Sequence, residues 1–295
     1  MRSMPLRWML LLGLGVATTV AAVPALREQA ILSLRSVAEP LIARGDSTDA
    51  PFDAFYQVMV EALPLQQRAE AVLQHVVNQR SGAAEYLIEH AASWSGSLKR
   101  NPRWDALWLA ARNSPRIEAR LAALELHLGE AAIGKQPDAV DRMMRSVRAN
   151  PTDPAWGYFN LGALGARGVE RERVLAFLEA GLAHAEAGHR EQAVEALALF
   201  GGAEVIAPLL TLAAEEPNDR VRERALCALA SSGVLHLAER YLAVPGLIAL
   251  ADRPGLQANT RGWVFQALRE ISGVYGPPDE VAAWRPQLRE IGLLQ

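Results

Sequence analysis

The stretch RERALCALASSG, Arg222 to Gly233, holds the chain's only cysteine. A thiol acts as a nucleophile or metal ligand only where its surroundings stabilise the thiolate. Cys227 has no His–carboxylate arrangement near it in the sequence. At the same phase of neighbouring helical segments stand Glu195 and Gln266. By that phase Cys227 sits at the edge of an apolar face, as a small inert filler. The six histidines, at 75, 90, 127, 184, 189 and 236, include no H-E-x-x-H pattern, and no second cysteine accompanies them. His184 and His189, five apart in HAEAGH, do not share a helix face. GLGVAT, with Gly13 and Gly15, has the glycines of a phosphate loop but no lysine after it and no strand before it. No catalytic residue, metal ligand or cofactor site is therefore expected. What remains is recognition. Trp104 and Trp108 lie four apart, and Trp263 and Trp284 flank the C-terminal segments. They read as buried anchors or as a partner groove, in which Arg222, Arg224, Arg240 and Arg261 form a polar rim around Trp263.

Those side chains must be positioned by helices. Of the 295 residues, 51% are hydrophobic and 6% aromatic, and apolar residues recur three and four apart instead of alternating. An all-α chain is expected. A lone cysteine excludes an internal disulfide, so packing must supply the stability.

The N-terminal MRSMPLR is followed by nineteen uncharged residues, Trp8 to Leu26. Residues 1–26 are expected to be a signal anchor or a cleaved signal peptide, since a membrane-spanning helix needs roughly 20 apolar residues and the small residues at 20–25 suit a peptidase. With Arg2 and Arg7 retained in the cytoplasm, everything beyond Arg27 is sent across the membrane. The expected location is a bacterial inner membrane, single-pass, with the folded part in the periplasm, or the periplasm itself. Without residues 1–25 the chain keeps 28 basic and 33 acidic side chains, a net charge of −5 that argues against a nucleic-acid partner.

Beyond Asn101 the sequence repeats. RIEARLAALELHLG, PAWGYFNLGALG, REQAVEALALFG, RERALCALASSG and RGWVFQALREISG end on Gly129, Gly165, Gly201, Gly233 and Gly273, at intervals of 36, 36, 32 and 40. Each interval holds a second apolar helix, such as EVIAPLLTLAAE. Ser114, Asp153, Asp219 and Asn259 or Thr260 suit helix starts, and the glycines suit helix ends. Ala196, Ala228 and Ala267 share a phase that would let helices approach closely. Before the repeats, AFYQVMVEAL, LQQRAEAVLQHVVNQ and AAEYLIEHAASW read as three more helices, and residues 43–51 as a linker.

Arg190, Ala193, Ala196 and Leu197, then Arg222, Ala225, Ala228 and Leu229, and more loosely Arg261, Ala267 and Leu268, resemble HEAT repeats. The resemblance implies a right-handed α-solenoid of helical hairpins over residues 101–275, with residues 27–100 as N-terminal helices and cap. In GPPDEVAAWRPQL, Gly276, Asp279, Trp284 and Arg285 resemble the end of HEAT-repeat proteins of bacterial envelopes, and residues 276–295 form a capping segment in which Val281, Trp284, Leu288 and Ile291 face the last repeat. The family implies a non-catalytic scaffold whose partner is another protein in a membrane or envelope assembly, and it implies that arginine at the Arg222 and Arg261 phase is commonly structural, bonding across to neighbouring turns. The alternative it leaves open is a HEAT-type lyase or chaperone-like protein that assists a pigment- or cofactor-bearing partner. Relatives built around His-Glu pairs or around DNA repair are excluded by the absence of such pairs and by the acidic, exported character of the chain.

Overall fold

A computed structural model describes residues 51–277 and 280–295. The segment Trp8–Leu26 and the tail residue Asp279 lie outside them. Among the described residues every regular element is a helix, and no helix is long and apolar enough to cross a membrane. The chain divides into two compact units, one ending at Leu126 and the other beginning at His127, within the stretch read as repeats.

The first unit contains α1 (Ala54–Glu61), α2 (Leu65–Val77), α3 (Ala83–Ala91), α4 (Pro102–Arg112) and most of α5 (Ile117–Glu130). Asp53 starts α1 by accepting from the Phe55 and Tyr56 amides. Asn101 starts α4, its Oδ1 taking the Trp104 N–H at 2.9 Å with Pro102 in the first turn. The Asn101 amide also donates to Glu70 on α2 at 2.7 Å, joining the two helices. Trp104 is fully buried, and the partly buried Trp108 donates its indole N–H to the Ala123 carbonyl at 3.0 Å. Both tryptophans are packing anchors of this unit.

The second unit pairs α6 (Pro137–Ala149) with α7 (Ala155–Ala166), α8 (Arg171–Leu182) with α9 (Ala187–Phe200), and α10 (Ile206–Glu215) with α11 (Asp219–Ala230). After a short inserted helix, α12 (Leu237–Tyr241), the pairing resumes with α13 (Val244–Ala251) and α14 (Ala258–Ser272). The insertion accounts for the 40-residue interval. The second helices of the pairs, α7, α9, α11 and α14, lie against one another in that order. Leu197, Leu229 and Leu268 are each completely buried between them. At about 25 cal/mol per Å² of apolar surface removed from water, burying such leucines is part of the gain that offsets the entropy lost on ordering the chain.

Small residues set the spacing of these helices. A methyl group on Gly162 would stand 2.5 Å from the Ala196 carbonyl oxygen, and one on Gly165 would run into the Phe200 ring. Gly165 and Gly129 lie inside α7 and α5, so they do not end helices as their place in the repeat suggests. Gly201, Gly233 and Gly273 do follow helices with positive φ. The starts also shift: Asn218, not Asp219, caps α11, accepting from the Arg220 and Val221 amides. No side chain caps α7 or α14, and Asn259 and Thr260 fall inside α14.

The C-terminal α15 (Val281–Glu290) packs on α13. Val281, Trp284 and Leu288 are buried, whereas Ile291 is exposed because it lies just past the helix end. Trp284 meets Phe265 with ring centroids 5.4 Å apart and donates its Nε1–H to the Pro277 carbonyl at 2.7 Å. Arg285 pairs with Asp252 at the end of α13.

Candidate protein-binding surface

Because α9, α11 and α14 lie side by side, their outward residues make one continuous face of the second unit. From α9 it takes Glu191 and Glu195; from α11, Arg220, Glu223, Arg224 and Cys227; from α14, Trp263, Gln266 and Glu270. Arg220 reaches Glu191 at 2.9 Å, and Arg224 reaches Glu195 at 3.3 Å and Glu191 at 3.8 Å. Gln266 donates to Glu270 at 2.9 Å. These solvent-facing pairs add little stability, on the order of 0–1 kcal/mol each. They leave an ordered, mixed-charge surface crossing several repeats.

Cys227 is half-buried in the middle of this face. Burial pushes its thiol pKa up; Glu223, Glu270 and Glu195 push the same way, and Arg224 opposes them. The thiol therefore stays protonated and unreactive at neutral pH. The sequence reading of an edge filler agrees with this environment.

Two of the five residues expected on the partner surface are inside the protein. Arg240 is 5% exposed and donates to the carbonyls of Leu235, Ala228, Leu229 and Ser232 at 2.9–3.0 Å. It satisfies the open C-terminal carbonyls of α11, which α12 brings within reach. Arg222, 8% exposed, donates to the Glu216 carbonyl and to the side chains of Asp219 and Gln257. The half-buried Arg261 donates to the carbonyl of Ala251 at 2.7 Å, at the end of α13. The expected rim thus reduces to Arg224 on α11, with Trp263 half-buried on α14. Guanidinium groups were drawn inward because each helix end presents carbonyls that need donors.

The same demand explains Arg171 and Glu216, which sequence reasoning passed over, and Arg190, which it singled out only as part of the repeat. Arg171 stacks over Phe200, its guanidinium 3.9 Å from the ring centroid, and donates to the carbonyls of Gly165 and Gly201 while pairing with Glu204. Arg190 grips the buried Glu216 with two hydrogen bonds at 2.7 and 2.8 Å. Burial alone would raise the Glu216 carboxyl pKa. The Arg190 hydrogen bonds, the Asn218 amide and the charges of Arg190 and Arg222 outweigh it and hold the pKa below the usual range. Repetition of arginine at the Arg190, Arg222 and Arg261 phase was the available signal.

Among the described residues no group of three or more His, Cys, Asp or Glu side chains is arranged to hold a metal ion. His184 and His189 share no helix face, as their spacing requires, but they do meet, because His184 lies in the turn before α9. Their rings stack with centroids 3.8 Å apart. His189 Nε2 donates to the Pro151 carbonyl at 2.7 Å, and His184 Nδ1 accepts the Glu186 N–H at 3.1 Å, so the pair fastens a turn.

No curated protein and no solved structure matches the chain. Residues 158–230, from within α7 to the end of α11, match the family model of HEAT repeats.

Proposed function

We propose that the protein is a non-catalytic scaffold on the far side of a bacterial inner membrane, where a right-handed α-solenoid offers its second-helix face to another protein of a membrane or envelope assembly. The observation that carries the reading is the face built by α9, α11 and α14, where Glu195, Arg224, Trp263 and Glu270 come from successive repeats. A rigid face of this kind suits an extended partner, because the residues that would touch it are already ordered and little entropy is lost on docking. HEAT repeats over residues 158–230 support an interaction role. The basic start and the uncharged Trp8–Leu26 support export and attachment.

Photo-crosslinkers placed singly at Glu195, Arg224 and Gln266 in the full chain, in cells, test the reading. A common adduct is expected from all three sites, and it should be lost from the Gln266 site when Arg224→Glu and Trp263→Ala are introduced. Adducts confined to a probe on the opposite, first-helix side would move the partner to that face. A chromophore carried through purification would instead favour the role of assisting a pigment- or cofactor-bearing partner.

A further inference from the structure

His75 is 3% exposed on α2, and neither of its ring nitrogens meets a hydrogen-bond partner. Its neighbours are aromatic: the Phe52 ring at 5.4 Å and the Tyr56 ring at 5.5 Å, both belonging to the segment that enters α1. Phe52 also packs edge-on against Tyr86 of α3 at 5.1 Å and donates its amide to the Ser81 carbonyl at 2.7 Å. The buried Arg80 guanidinium lies 4.1 Å from the Tyr56 ring centroid, so one cation already occupies this cage.

The surrounding carboxylates are engaged elsewhere. Asp53 caps α1, and Glu61 accepts from the Tyr86 hydroxyl at 3.2 Å. On α2 itself Glu70 serves Gln66, Asn101 and, from α4, Arg103, while Arg68 bonds the carbonyls of Glu61 and Leu63. Glu85 of α3 lines a small cavity next to Arg80, together with Arg116 and Glu118, which pair with each other at 3.5 Å. On α3, His90 stacks on Tyr86 and its Nδ1 contacts the Tyr86 carbonyl. Of these charges it is Arg80 that bears on the His75 ring, and it repels a proton there.

We propose that His75 is an acid-released latch: neutral, it completes the aromatic cage that holds Phe52 and Tyr56 and thereby fastens α1; protonated, it must leave the cage and free that helix. A phenylalanine would fill the same space without two unpaired nitrogens. What the imidazole adds is the capacity to take a proton. Geometry gives the sign, because protonation places a second cation beside Arg80 with no acceptor for its N–H groups. Burial first, and Arg80 second, push the pKa of the His75 ring down from 6.5 to about 4. A ring that regains the ordinary value when released makes opening about 30-fold more favourable at pH 5 than near pH 8. The loss of fastening begins below pH 6.5 and is complete near pH 4.

Hydrogen exchange of the full chain at pH 7.5 and pH 5, corrected for the intrinsic pH dependence of exchange, tests the latch. Protection of the α1 amides Met59 to Ala62 is expected to fall about 30-fold at the lower pH, while α9 and α11 keep theirs. His75→Phe should retain the α1 protection at both values. Equal loss in wild type and His75→Phe, or no loss in wild type, would overturn the proposal. If His75→Phe does not fold, the wild-type His75 ring resonance decides: the latch requires that it titrate together with the loss of α1 protection, and an ordinary, independent titration refutes it.

Discussion

Replacing Trp284 by alanine removes the largest side chain that α15 inserts against the last repeat. The indole is fully buried, lies against Phe265, and donates one hydrogen bond to Pro277. An indole of roughly 200 Å² at about 25 cal/mol per Å² gives an upper bound near 5 kcal/mol, since the unfolded chain already covers part of that surface. The lost hydrogen bond adds about 1 kcal/mol, and partial collapse of α15 into the space recovers some of the loss. The expected net cost is about 3–4 kcal/mol. Because a repeat array loosens from its ends, the effect should be local at first. Hydrogen exchange should show α13, α14 and α15 losing protection while α9 keeps it, and urea unfolding followed by circular dichroism should start at lower denaturant. Trp284→Phe should retain most of the packing and lose about 1 kcal/mol for the missing donor. Gly276→Ala offers an independent check, since a methyl group there would stand 2.7 Å from the Trp284 indole nitrogen. An unchanged unfolding curve for Trp284→Ala would refute the capping role, and loss of partner binding together with it would mark the indole as a docking residue.

Gly162→Ala should lower the unfolding midpoint by an amount equivalent to about 1–3 kcal/mol, because its methyl group meets backbone of α9 and not a side chain that can turn away. Cys227→Ala should cost at most about 1–2 kcal/mol, and in the parent protein a maleimide should label the thiol more slowly at pH 7 than it labels a free cysteine peptide. For Glu216, whose folded pKa is depressed, the ionised carboxylate contributes stability that is present above the ordinary carboxylate pKa and disappears as pH falls through the folded value. Glu216→Gln should therefore be less stable than the parent at pH 7, and denaturant midpoints measured from pH 7 down to pH 3 should converge; a constant gap would refute the assignment.

Helices were legible because their determinants are local. The three- and four-residue spacing of Ala193, Leu197 and Phe200 both defines a helix and says which side is buried, and the structure buries all three. Glycines were less informative, since one residue type answers two different demands. Gly201 and Gly273 are needed for positive φ after a helix, whereas Gly165 is needed inside α7 because the Phe200 ring lies against it. Only the neighbouring helix distinguishes the two. His184 and His189 show the same limit: their separation excludes a shared helix face, but a turn between them lets the rings stack.

The arginines mark the point at which sequence stops informing on the candidate site. Arg224 and Arg240 look alike in sequence, each on an amphipathic segment with acidic neighbours, yet one faces solvent and the other is enclosed by four carbonyls. The difference lies in the acceptors, which are backbone groups at the end of α11 and carry no residue signature. A helix that ends where the chain must turn tightly leaves carbonyls that water cannot reach, and burying them unpaired would cost on the order of 1–3 kcal/mol each. Arginine, with five donors on a planar head, satisfies several at once. In a stack of helix pairs this need recurs at every joint, so Arg171, Arg222, Arg240 and Arg261 are drawn inward. The arginine that remains on the outer face is the one whose helix position points away from any joint, which is why the candidate surface narrows to Arg224, Trp263 and the carboxylates of α9 and α14.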